Sequence, residues 1–186
     1  MTDEPRPSES VRMRNFVPMM KKILWMCLAF VSLASCRKDP TLEDRLEGAW
    51  KVNDITASGF IQFMGQNIPL VANDKTIDSS SVFTLVQGTK DNPTNTITYN
   101  VSSVLTVSAG QTFDFPFTQN GTGSWTAKAG NNVAPDSLFM TASTGAITKY
   151  EVLALLEKSV LLRTKQIIAL DTIQVNTTIE FGFIRQ

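Results

Sequence analysis

Histidine is absent from all 186 residues, and cysteine occurs only twice, at Cys27 and Cys36. Without imidazole the chain lacks the commonest general acid or base, the usual metal ligand and the partner that activates a serine or cysteine nucleophile. With so few thiols, zinc and iron–sulfur sites lack their ligands as well. An enzyme built from this sequence would rest on carboxylates alone. No carboxylate pair carries a motif for glycoside hydrolysis, and no loop of alternating acids around a glycine suggests calcium. The expectation is a protein that is not an enzyme and uses no cofactor or metal. Charge of one sign is missing too. Lys plus Arg number 17 and Asp plus Glu number 17, which leaves no basic footprint for nucleic acid. No apolar run reaches the ~20 residues that span a bilayer as a helix.

The longest apolar run, Ile23 to Ser35, is bounded by Lys21 and Lys22 before it and Arg37, Lys38 and Asp39 after it. A charged start, a short apolar middle and a small-residue exit are the parts of a secretory signal. The exit, Leu33-Ala34-Ser35-Cys36, resembles the lipobox of bacterial lipoproteins. That resemblance implies cleavage before Cys36, a diacylglyceryl group on its sulfur and an acyl chain such as palmitate on its amino group. Each buried methylene contributes about 0.8 kcal/mol, and two or more chains make anchoring stable. The expected partner is therefore a membrane, reached through Cys36. Arg37 is not the acidic retention signal of inner-membrane lipoproteins, so the expected location is the outer membrane of a cell envelope, with both of its faces open. Residues 1–18 are polar and proline-bearing and read as a disordered extension or a start assigned too early. Residues 19–35 read as the signal peptide.

From Cys36 onward 151 residues remain, with 12 basic and 14 acidic side chains and a net charge of −2. That is enough for one domain with its own core. The charged stretch 36–47 reads as a lipidated tether, and 48–186 as the folded domain. Short alternating runs separated by turn residues signal an all-β sandwich or barrel. "ITYNVSSVLTV" puts Ile97, Tyr99, Val101, Ser103, Leu105 and Val107 on one face. "TFDFPF" does the same for Phe113, Phe115 and Phe117, with Pro116 marking an edge or a bulge. "IQVNTTIEFGFI" aligns Ile173, Val175, Thr177, Ile179, Phe181 and Phe183. Turn chemistry lies at 89–95, at "QNGTG" (119–123) and at 128–136. "YEVLALLEKSVLLR" (150–163) fits either a helix by propensity or a hairpin turning at 156–159. The insert 58–76 is too apolar for an exposed loop. It could be a lid, a docking patch or a hairpin extending the sheet, and extra strands packed on the domain are the plainest reading.

"LEGAWKV" (46–52) holds Gly48-Ala49-Trp50, which resembles the glycine-any-tryptophan opening of lipocalins and other calycin barrels. Tyr150, Val152, Leu155, Glu157-Lys158-Ser159, Val160 and Leu162 resemble a segment of Bacteroidetes-type lipocalin-like lipoprotein domains, and "GTGSWTA" (121–127) resembles their middle. The resemblance implies an antiparallel up-and-down barrel of about eight strands over residues 48–186, and makes 150–163 a hairpin. It also implies a barrel floor in which Gly48 bends the chain, Trp50 plugs the closed end and Arg185 covers the indole, with Arg163 as the other candidate. Other lipocalin signatures are missing from the later loops, so ligand binding is not inherited automatically.

Two functions are expected from this reading. The first is a lipid-anchored, non-catalytic binding module holding a small hydrophobic molecule in a pocket lined by Tyr99, Val101, Phe113, Phe115 and Phe117. The same large side chains can equally fill a core. The second is a structural or accessory envelope lipoprotein that binds another protein or a polysaccharide and has no ligand cavity.

Overall fold

The computed structural model describes residues 39 to 186, apart from 64, 171 and 172. The expectations for residues 1–18, for the leader at 19–35 and for lipidation at Cys36 concern residues outside those described. Among the described residues one helix, α1 (Leu42–Leu46), precedes nine strands. They are β1 (Gly48–Phe63), β2 (Gln66–Ile77), β3 (Val82–Val86), β4 (Thr96–Ala109), β5 (Gln111–Lys128), β6 (Asp136–Ala142), β7 (Ile147–Leu155), β8 (Ser159–Leu170) and β9 (Ile173–Arg185). All pair antiparallel in one sheet, in the order β2-β1-β3-β4-β5-β6-β7-β8-β9, and β1 also pairs β9, which closes the ring.

Nine strands make a ring of eight staves because β2 and β3 share one position. Both lie between β1 and β4. β2 occupies the far end (Phe63↔Gln66, Val71↔Ser108) and β3 the near end (Gly48↔Leu85, Val82↔Asn100). Side chains and loop backbone fasten the break between them. Val52 donates its N–H to the Ser81 carbonyl at 2.9 Å. The fully buried Ser81 hydroxyl donates to the Ser102 carbonyl and accepts from the Ser102 N–H, both at 3.0 Å. The apolar insert at 58–76 is thus most of the β1–β2 hairpin, a part of the barrel wall. Leu70 and Ala72 point inward, while Phe60 and Val71 are exposed.

Inward alternation follows the sequence on β4 and β9, where Ile97, Val101, Leu105, Val107, Val175, Ile179, Phe181 and Phe183 are buried. On β1 it changes parity. Trp50 and Val52 point in, a register shift falls between Val52 and Asp54, and Ile55 and Ala57 then point in. β7 does the same between Val152 and Ala154. A bulge adds one residue to one strand, so every later side chain changes face. The ambiguous segment 150–163 is a hairpin, with Leu156 donating its N–H to the Ser159 carbonyl at 2.8 Å.

One sequence expectation is corrected. "QNGTG" is not a turn: Gln119 to Gly123 run inside β5, in register with β4 and β6. Gly121 is opposite Tyr99, whose ring lies so close that a methyl group at 121 would sit 2.7 Å from the phenol oxygen. Close approach, not reversal of the chain, calls for glycine there. Within the stretch 36–47, the compact unit begins at Pro40. A capping box starts α1, with Asp44 N–H on Thr41 Oγ1 at 3.1 Å and Thr41 N–H on Asp44 Oδ2 at 2.7 Å. The helix then buries Leu46, and Glu43 Oε1 accepts the Ala127 N–H at 3.3 Å.

Candidate functional site

The floor is built first. Gly48 takes φ +127°, a conformation that L side chains rarely adopt. That bend delivers Trp50 to the closed end, where it is 1% exposed and its indole N–H donates to the Leu46 carbonyl at 2.7 Å. Arg185 lies over the indole, its guanidinium carbon 4.5 Å from the ring centroid, and also donates to the Arg45 carbonyl at 2.6 Å. Because Arg185 is exposed, such a cation–π contact contributes about 0.5–1 kcal/mol. Arg163 lies elsewhere. It pairs with Glu180 through Nε at 2.9 Å and a terminal nitrogen at 2.7 Å. These groups hold the fold.

The five residues expected to line an apolar pocket are divided by the structure. Val101 and Phe117 are in the core, Phe115 packs against it, Phe113 is 43% exposed, and Tyr99 is half-buried. Phe83, Phe117, Tyr150, Phe181 and Phe183 form a continuous aromatic column, with Phe83 and Phe183 centroids 4.9 Å apart and Phe117 and Phe181 6.2 Å apart. Above the floor, Trp50, Phe83, Leu138 and Phe183 leave a gap of about 10 Å³. Toward the other end, Leu70, Leu105, Phe115 and Ile168 leave another of about 10 Å³. Each is about the smallest space that admits one water.

A wider recess lies in the wall. Among the described residues, β5 pairs with β6 only over 123–128, and β8 pairs with β7 only over 160–164. Residues 111–122 of β5 and 165–170 of β8 therefore have a partner on one side only, and the wall is notched between them. Gln119 and Gln166 bridge the notch, with Nε2 of Gln119 donating to Oε1 of Gln166 at 2.6 Å. The space beside this crossbar is about 440 Å³. Thr118 and Asn120 flank it on β5, and Thr141 and Thr148 flank it on the β6–β7 hairpin. Tyr99 and Tyr150 form its inner wall, and no charged side chain lines it.

Tyr150 is 2% exposed, its ring edge-on to Phe83 and to Phe181. Burial, with a smaller effect from Tyr99, pushes its phenol well above the ordinary value and keeps it a neutral donor. Its hydroxyl makes no hydrogen bond to any described residue. Among the described residues no unpaired polar side-chain atom is sealed from solvent. The phenol oxygen is therefore the end of Tyr150 that reaches the notch. Of the residues around this notch, sequence reasoning singled out Tyr99 for an apolar pocket and Tyr150 only as part of a hairpin, and it missed Gln119 and Gln166. The two glutamines are brought together only by strand pairing.

Carboxylates gather elsewhere on the wall. Asp74 Oδ1 accepts the Ile55 N–H at 3.2 Å where β2 parts from β1. Although Asp54 as a residue is exposed, partial burial of its carboxyl raises its pKa. A hydrogen bond with Asp74 and the charges of Asp74 and Glu180 add to the rise. Asp114, expected on the solvent face, forms an exposed pair with Lys75 at 2.6 Å. No group of three or more acidic or thiol side chains suited to a metal occurs among the described residues. No protein-family model matches the chain, and no curated protein matches it.

Proposed function

We propose that this chain is a lipid-anchored, non-catalytic lipocalin-like domain of a bacterial cell envelope. In this reading it serves as an accessory module that binds a polysaccharide or another envelope protein through its surface. The lipobox Leu33–Cys36 supports the anchor and an outer-membrane address. The Gly48–Trp50–Arg185 floor supports the lipocalin-like reading. The observation that carries the surface-binding role is the packing around Trp50 and around Phe115, where the gaps are about 10 Å³ each. Neither gap has room for the other expectation, a small apolar ligand, with Phe115 and Ile168 in place.

Two measurements test this reading. Mass spectrometry of protein extracted from native membranes should find Cys36 as an acylated first residue. A bare thiol with residues 1–35 still attached would remove the envelope address. Titration of the full chain with an environment-sensitive fatty-acid probe should give no saturable binding up to about 50 µM, a range that would capture an ordinary lipid carrier. Saturable one-to-one binding would overturn the surface role.

A further inference from the structure

Resting on that surface-binding reading, we infer that the notch between β5 and β8 is a binding site for a neutral saccharide. Its volume, about 440 Å³, falls within the range of small-molecule sites. Its chemistry is narrower than its size. Beside the apolar Ile97, Met140 and Ala142, the lining offers side-chain amides from Gln119, Asn120 and Gln166 and hydroxyls from threonines and tyrosines, with no charged group. An anion or cation would lose its hydration there and gain no counter-charge. A purely apolar ligand would strip water from the amides and hydroxyls and return no hydrogen bond. A ligand whose own groups both donate and accept fits this set, and a sugar's hydroxyls do both.

Two features show that the site has unused capacity. The Gln119–Gln166 crossbar uses one N–H of Gln119 and the oxygen of Gln166, leaving the Gln119 oxygen and the Gln166 amide protons for a ligand. The Tyr150 hydroxyl is unpaired, carried on a ring that is 2% exposed and fixed by Phe83 and Phe181. A donor held this rigidly gives up little freedom when a ligand arrives.

The test uses the full chain in detergent and a panel of neutral disaccharides: maltose, cellobiose, lactose and chitobiose. Saturation-transfer NMR detects binding and calorimetry measures it. At least one of the four should bind at or below roughly 10 mM, the weak end of single-site recognition. Tyr150→Phe keeps the ring and its packing but removes the hydroxyl. It should weaken that binding roughly threefold to tenfold, the value of one hydrogen bond. Gln166→Ala, which removes half of the crossbar, should weaken it at least as much, with circular dichroism unchanged. No binding by any of the four overturns the inference, as does binding that both variants leave intact. Binding of an extended peptide along the bare β5 edge, blocked by added disaccharide at no concentration, would also overturn it while leaving the surface-binding role in place. Failure of that broader role would appear separately, as stoichiometric uptake of the fatty-acid probe.

Discussion

Trp50 makes contacts that no smaller side chain can make together. It fills the closed end, donates to the Leu46 carbonyl and supports the Arg185 guanidinium. Trp50→Ala should cost about 3–5 kcal/mol, as for other buried aromatics cut back to a methyl group, measured as a lower urea midpoint. Asp54 gives a prediction of the opposite sign. Its pKa is raised in the fold, chiefly by partial burial of the carboxyl and next by Asp74. Its contribution to stability is therefore complete below the unfolded carboxylate pKa and is lost as pH rises through the folded value. Asp54→Asn imitates the protonated form. The variant should unfold at higher urea than the parent at pH 7, and the advantage should shrink to nothing by pH ~2.5, well below the unfolded aspartate pKa of about 3.9. A variant that is no more stable at pH 7 would show that neither burial nor Asp74 disfavours the Asp54 charge.

The edges of β5 and β8 set the next scale. A strand with one neighbour opens at lower free energy than one held on both sides, so local stability should be uneven along the same strand. Amides in Gln111–Thr122 and Lys165–Gln166 should exchange with deuterium at least tenfold faster than those in Trp50–Val52 or Phe181–Phe183, measured by mass spectrometry of the peptides. Uniform protection along β5 would mean that its free side is covered in solution. Pro116 is suited to this place. The β4–β5 ladder continues through Val104↔Pro116 without a register shift, as a proline whose missing N–H faces the unpaired side permits. Pro69 similarly lies where β2 has only β1 beside it. A missing donor on an open edge discourages further chains from adding there.

At the scale of the whole molecule, the sequence disclosed the fold class and the inward faces of β4 and β9, because strict alternation of apolar residues is a direct imprint of a half-buried strand. The bulges at Asn53 and Leu153 left no such imprint, since neither residue is a glycine or a proline. Gly121 and Gly123 suggested a turn, although their role is to let Tyr99 and β6 approach. In α1, charge hid the Thr41–Asp44 capping pair and the four-residue spacing of Leu42 and Leu46, which were there to be read. The notch was the least legible part. Gln119 and Gln166 are 47 residues apart, and their meeting depends on β6 and β7 being too short to complete the wall.

The strands that open and close the ring are neighbours, with Trp50 opposite Arg185 and the Gln186 N–H on the Ala49 carbonyl at 3.0 Å. A circle of antiparallel staves joined in this way has no topological beginning. A permuted gene that links Gln186 to Pro40 through a few flexible residues and reopens the chain at Gly145, in the exposed turn after β6, would preserve every ladder.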